Sequence, residues 1–244
     1  MSFNTDGVVL KVVKTGESDR FVTLLTKNRG VVEAFASGAG RPKNKLHGAT
    51  NLFCCGHYSF FETGKTPKVT ECEIRDIFYG LRDDIRRLSL GQYLNELALE
   101  LAPVEQDAGE LLRLHLNSLH FLSNGTLSPE QLKPMYELRI LSESGYMPAL
   151  VACDKCGAFE TPVMQFDPVT GKLLCENCSG RGRLDLPLAV ITAMRHIVLA
   201  DLREMFRLRL TGDTLEKLTS VAERYLLEKL QRPFSALSFY KTIK

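Results

Sequence analysis

Four of the seven cysteines stand in two close pairs, Cys153-x-x-Cys156 and Cys175-x-x-Cys178. A CxxC turn directs two thiolates at one ion, and two such turns complete a tetrahedron around zinc. The 18 residues between the pairs match the spacing of zinc ribbons. Turn formers accompany them at Gly157, Gly171, Ser179 and Gly180. The segment has few large apolar residues (Val163, Phe166, Leu173, Leu174), so a metal is expected to supply its folding free energy. Four cysteines fill the coordination sphere and leave no position for water, so one Zn²⁺ is expected, structural rather than catalytic. A thioredoxin-like role would need a CxxC beside a βαβ pattern, which is lacking. Cys54, Cys55 and Cys72 are scattered, and an odd count without a secretory leader does not describe a disulfide framework. A cytoplasmic protein is expected.

A second set of residues is suited to a polyanion. Ser37-Gly38-Ala39-Gly40-Arg41-Pro42-Lys43-Asn44-Lys45 joins glycines, which expose backbone N–H groups, to three cations in five residues. Such a loop can grip phosphates, or it can be a solvated hairpin connection. Lys14, Arg20, Arg29, Lys65 and Lys68 accompany it, with Lys11 and Lys27. Phe21, Phe35, Phe53, Tyr58, Phe60 and Phe61 are interleaved; some could stack on bases, and more are expected to fill a core. Arg195, Arg203, Arg207, Arg209 and Arg224, with Lys217, form another basic set, which Asp201 and Glu204 could partly neutralise. Arg203 and Arg207 are four apart and would share a helical face.

The net charge of +2 conceals this layout. Residues 1–80 carry 11 Lys/Arg against 8 Asp/Glu, and residues 181–244 carry 12 against 7. Residues 81–152 carry 6 against 10, and residues 153–180 carry 2 against 4. Fields act locally, so a near-neutral total does not exclude a polyanion partner. The cations of the two ends are expected to form one polynucleotide cradle.

Catalytic patterns fail. Gly64-Lys65-Thr66 looks like the end of a phosphate loop, but Ser59 stands where its first glycine belongs. Lys43 occupies the third glycine position of a dinucleotide fingerprint starting at Gly38. His47, His57, His115, His120 and His196 are dispersed, and no nucleophile–base pair stands out. The chain is not expected to be an enzyme.

The elements that would position these residues follow from periodicity. Val8–Val13, Phe21–Thr26, Val31–Ala36, Leu52–Phe61 and Val69–Ile74 read as five strands, with turns at Asn28-Arg29-Gly30 and Thr63–Pro67. Five strands over about 75 residues suggest a small antiparallel barrel of the OB type. From Asp83 the period becomes helical, through Ile85, Leu88, Leu94, Leu97 and Leu101 to Pro103. Further helices are expected over Leu111–Leu122, from Ser128-Pro129-Glu130-Gln131 (a capping box) to Ser144-Gly145, over Pro187–Ala200 and over Asp213–Leu230, the last with a box at Asp213 and Glu216. The expected class is α+β: an OB-type domain over residues 1–80, then a helical domain over 81–244, interrupted by a zinc insert at about 150–181. At 44% apolar and 25% charged the 244-residue composition is that of a globular protein, and no apolar run is long enough to span a membrane.

These features fit an RNA-binding barrel-plus-ribbon module or a protein–protein adaptor as well as a DNA-binding protein. The order of local motifs is more specific. Gly7-Val8-Val9-Leu10, Gly16-Glu17-Ser18-Asp19, Gly38-Ala39-Gly40-Arg41 and Lys45-Leu46-His47-Gly48 resemble the N-terminal domain of the RecO family of bacterial recombination mediators. Gly145-Tyr146-Met147-Pro148 before Cys153, and Gly171-Lys172-Leu173-Leu174-Cys175, resemble that family's passage into its zinc-binding insert. The resemblance implies an OB fold, a helical domain with the zinc insert, binding to single- and double-stranded DNA, and annealing of complementary strands. It also implies work with RecR and RecF in loading RecA onto strands coated by single-stranded DNA-binding protein, in the cytoplasm and at the nucleoid, without covalent chemistry.

Overall fold

The structure, a computed structural model, describes every residue except Thr63, Ser179, Arg181, Gly182 and Lys244. Thr63 and Ser179, read above as turn formers, therefore lie outside it. The chain divides into two compact units, Met1–Thr126 with Ser235–Lys244, and Leu127–Phe234.

The first unit holds five strands: β1 (Ser2–Thr15), β2 (Asp19–Thr26), β3 (Gly30–Ala36), β4 (Cys55–Phe61) and β5 (Lys68–Asp76). They close into a barrel in the order β1-β2-β3-β5-β4. The long β1 serves two partners. Its first half pairs with β4, from Ser2↔Phe61 to Val8↔Cys55, and its second half with β2, from Gly7↔Thr26 to Thr15↔Asp19, the two overlapping at Gly7 and Val8. A bulge between Val9 and Lys11 lets one strand bend across both, since an unpaired residue sharpens the local twist. The barrel is not wholly antiparallel: β3 meets β5 in parallel, at Phe35↔Lys68. Val9, Val22, Leu24, Ala34, Tyr58 and Phe60 fill the interior. Gly30 turns the chain into β3 with φ +60, and a side chain there would run into the Pro103 carbonyl, so only glycine fits.

Two expectations change. The single-turn α1 (Leu46–Ala49) interrupts the β3–β4 connection. Leu52 and Phe53 precede β4 rather than belonging to it, because Phe53 has a φ of 68 that no strand tolerates.

Helix α2 (Ile85–Leu101) is capped by Asp84, whose carboxylate accepts from Arg86 N at 2.7 Å. It packs with α3 (Gly109–Ser123), and both lie against β1. Between them Asn95 Nδ2 donates to Leu10 O at 2.9 Å, which aims Asn95 Oδ1 at His115 Nε2, 3.1 Å away. Burial alone pushes the His115 imidazole down to about 3, so it is neutral and Nε2 is the donor. The unanticipated C-terminal helix, numbered α8 (Ser235–Thr242), returns to this unit, where Glu96 accepts from Ser235 Oγ and Ala236 N.

The second unit is built on α4 (Pro129–Glu143), a helix buried on nearly every side. Ser128 caps it, accepting from Gln131 N at 3.3 Å. The expected capping box is half-formed: Gln131 Nε2 donates to Leu208 O instead of returning to the cap. Helices α5 (Leu188–Leu199) and α7 (Gly212–Leu230) pack on α4, and the single-turn α6 (Leu202–Met205) lies between them in sequence. Asp213 makes no box either; it sits inside α7 and pairs with Lys217. A buried ion triad ties α4 to α7, with Lys133 Nζ 2.8 Å from Glu137 and 2.9 Å from Glu223. Strands β6 (Ala149–Cys153), β7 (Val163–Asp167), β8 (Lys172–Cys175) and β9 (Leu184–Pro187) form a small sheet in the order β6-β8-β7-β9.

Candidate metal centre and nucleic-acid surface

The small sheet holds the thiols. Cys153 ends β6, Cys156 follows in the turn, Cys175 ends β8 and Cys178 closes a short 3-10 turn. The four Sγ atoms lie within 4.8 Å of one another, a group able to hold a metal ion. The donor chemistry fits. Desolvation opposes ionisation of Cys153, yet backbone hydrogen bonds at Cys175, Cys156 and Lys155 outweigh it and bring the thiol down to about 6. Hydrogen bonds with the neighbouring thiols move Cys156 up and push Cys178 up to about 12, so without an ion the negative charge gathers on Cys153. Backbone N–H groups aimed at sulfur favour thiolate, the form a metal ligates.

The segment also has apolar contacts of its own. Met164, Phe166 and Leu173 are fully buried. Phe166 packs edge-on to Tyr225 of α7 at 5.4 Å, Tyr225 donates to Tyr146 O at 2.8 Å, and Lys229 donates to Val169 O. The hairpin thus adds the side of α7 to its own small core.

The Ser37–Lys45 loop is held from behind. Gly38 N donates to Asp19 Oδ1 at 2.6 Å and Gly40 N to Ser18 O at 2.7 Å. Gly38 has φ +65, and a Cβ on Gly40 would press on Ser18 O at 3.0 Å, so both glycines let the loop lie flat on the β1–β2 turn. Arg20 does the rest. Its side chain turns inward, 8% exposed, and Nη1 donates to His47 O, Thr50 Oγ1 and Asn51 Oδ1 at 2.8 to 3.1 Å. Arg20 is thus not a surface cation; it braces α1 and the loop.

The remaining expected cations of this unit separate by their partners. Lys14, Arg41, Lys43, Lys65 and Lys68 are exposed, with no ion pair among the described residues. Lys45 pairs with Glu71 at 2.9 Å. Arg29 pairs with Glu62 at 2.6 Å and lies flat on Phe3, 3.7 Å from the ring centre.

The aromatic residues separate too. Phe53, Tyr58 and Phe60 are buried, whereas Phe21 is 39% and Phe61 48% exposed, with Phe35 between these extremes. The register puts the second group in one row across the outside of the barrel: Val13↔Phe21, Phe21↔Phe35, Phe35↔Lys68 and Lys68↔Phe61. Residues opposite each other in a sheet share a face. Phe21 and Phe35 meet edge to face at 5.2 Å, and Val13 extends the row at 47% exposed. Val13 escaped the sequence reading because its β-branched run reads as core throughout; only its register with Phe21 assigns it to the outside.

In the second unit Arg203 and Arg224 are exposed, with no ion pair among the described residues. The helical face expected for Arg203 and Arg207 does not form, because α6 ends at Met205. Arg207 pairs with Glu204 at 2.6 Å, and Arg209 donates to Phe206 O and Leu208 O. Arg195 is not a free cation: it donates to Leu150 O, Val151 O and Phe159 O, stacks on Phe159 and fastens β6 to α5. The histidines have structural neighbours, His47 beside Ala39 O, His57 bonded to Asp6, His120 beside Asn124 and His196 beside Glu204 O.

A closed five-stranded barrel joined to a helical unit bearing a four-thiol sheet defines a class of barrel-and-ribbon proteins with a cation-rich barrel surface. Comparison with known proteins is specific. Residues 1–78 match the family model described as recombination protein O N terminal, and residues 82–238 the one described as recombination protein O C terminal. The chain is 34% identical over 241 residues to a DNA repair protein RecO of Acetivibrio thermocellus, covering 98% of this chain and 96% of that protein. It is 32% identical over 247 residues to a DNA repair protein RecO of Symbiobacterium thermophilum, covering 99% and 98%. A third, from Alkaliphilus metalliredigens, is 29% identical over the full length of both. The chain belongs to the RecO family of DNA repair and recombination proteins. Among the described residues no helix is long and apolar enough to cross a membrane.

Proposed function

We propose that the protein binds single- and double-stranded DNA without reading sequence, anneals complementary strands, and helps load RecA onto strands coated by single-stranded DNA-binding protein. In this reading RecR and RecF are partners, no covalent step is catalysed, and the site of action is the cytoplasm at the nucleoid. One Zn²⁺ held by Cys153, Cys156, Cys175 and Cys178 would fix the turns of the small sheet and take no part in DNA chemistry.

The observation that carries the reading is the outward row Val13–Phe21–Phe35–Lys68–Phe61. Bases of a single strand stack on aromatic side chains whatever their sequence. Exposed cations accompany the row: Lys68 within it and Lys65 just ahead, while Lys14, opposite Arg20, is exposed at the end of β1 on the strand's other face. Arg41 and Lys43 project from the braced loop. These cations would neutralise phosphates and release counterions, and Arg203, Arg207, Arg209 and Arg224 offer a second, weaker basic set. Two strands relieved of their mutual repulsion can meet base to base. Lys45 and Arg29, already paired, contribute less to phosphate binding, and Arg20 and Arg195 act through structure.

The test is annealing of two complementary labelled oligonucleotides, bare and coated with single-stranded DNA-binding protein, followed by fluorescence. The wild type accelerates annealing in both states, and Phe21→Ala/Phe35→Ala slows it. No acceleration by the wild type, or stronger binding to structured RNA than to either DNA form, refutes the proposal.

A further inference from the structure

The barrel has one poorly closed seam. β3 touches β5 at Phe35↔Lys68, and beyond that point the two strands part. Phe35 N makes the single ladder bond, to Pro67 O at 2.9 Å, and only at the other end is the gap bridged from outside, where Val31 N donates to Pro103 O at 2.8 Å. Both bonds point away from β2. Backbone direction alternates along an antiparallel strand, so Glu33, midway between them, also turns its N–H and C=O into the gap. There a cavity of about 560 Å³ opens, lined by Phe3, Arg29, Glu62, Lys65 and Val104 among others. It is a half-open groove whose volume lies in the range of small-ligand sites.

Three properties define what would fit. The guanidinium of Arg29 is fixed as a plate, stacked on Phe3 at 3.7 Å and paired with Glu62 at 2.6 Å. A fixed guanidinium offers its second face to a flat, electron-rich ring. The charged lining is Arg29 and Lys65 against Glu33, Glu62 and Glu105, an excess of one negative charge that disfavours a phosphate inside. The Glu33 backbone supplies one donor and one acceptor side by side, the complement of a heterocycle edge. An added peptide strand needs several such positions in succession; here the flanking ones are already taken by Pro103 and Pro67.

We infer that this seam cavity receives a single unstacked base of a bound single strand, with its phosphates left outside along the loop that carries Lys65. The inference rests on the reading that the barrel binds single-stranded DNA, and adds to it a place where one base leaves the stack.

The test uses the full chain and an oligonucleotide containing 2-aminopurine, whose fluorescence rises when it leaves its neighbours. Val104 is 64% exposed, so Val104→Trp can plug the cavity without entering the core. Arg29→Lys keeps the charge and removes the plate. The wild type should raise the fluorescence on binding. Both variants should lose that rise and bind roughly fivefold or more weakly, with the slope of log affinity against log salt unchanged. Wild-type affinity and fluorescence in both variants would overturn the inference while leaving DNA binding intact. No binding by the wild type at low salt would overturn both.

Discussion

Arg20→Met separates the bracing role of Arg20 from the phosphate contact its charge suggests. The guanidinium is 8% exposed and serves three acceptors from one nitrogen. A hydrogen bond from a charged donor contributes about 1.5–3 kcal/mol net. Thr50 Oγ1 keeps its own bond to Leu46 O, and half-buried His47 and Asn51 regain water, so the three losses do not add. The expected cost is about 2–4 kcal/mol, concentrated on residues 37–51. Two compact units make a single global unfolding free energy ill-defined, so amide hydrogen exchange is the appropriate assay. Protection should fall at Gly40, whose N–H bonds Ser18 O, at His47, bonded to Asn44 O, and at Thr50, bonded to Leu46 O. Arg41→Met, at an exposed position, should leave protection within about 0.5 kcal/mol of wild type. Unchanged exchange in Arg20→Met, with a lowered salt dependence of DNA binding, would refute the bracing role.

Two further outcomes concern stability and metal. The purified chain should carry one zinc. Chelation or Cys156→Ser should free the turns around Cys153–Gly157 and Cys175–Cys178 to exchange, while the hairpin under Tyr225 stays protected; metal-free protein with fully protected turns would contradict the site. His115 is neutral in the fold, at about 3, against an ordinary value near 6.5. Its folded value is depressed, so nothing is lost above pH 6.5. Below that the unfolded chain takes up a proton that the native chain refuses, and stability falls until about pH 3. At pH 5 the cost is about 2 kcal/mol. His115→Gln should therefore lose less stability than wild type between pH 7 and pH 5, read from hydrogen exchange of the α2 and α3 amides, and parallel pH profiles would exclude this role for His115.

Much of this was legible in the sequence because local chemistry decided it. β-branched runs mark most of the barrel strands, aromatic residues mark β4, and the CxxC spacing marks the thiol cluster. Ser128-Pro129 starts α4 as its chemistry requires. What stayed hidden depends on distant neighbours. Arg20 and Arg41 are both arginines in basic surroundings, and only the fold turns one inward under α1. Gln131 has the right spacing for a capping box, but Leu208 O competes for its amide. The face shared by Arg203 and Arg207 presumes a helix that stops after one turn. Phe21 and Phe60 look alike in sequence, and the barrel register alone makes one surface and the other core.

The central claim, that unpaired cations of the barrel hold DNA phosphates, is tested by the salt dependence of single-strand binding. Arg41→Gln/Lys43→Gln/Lys65→Gln/Lys68→Gln removes four exposed charges. Each lost phosphate contact lowers the slope of log affinity against log salt by about 0.7 for single strands, so four contacts lower it by about 3. A slope reduced by that order, with affinity falling alike for all base compositions, is the result the account predicts; a slope equal to that of the wild type would contradict it.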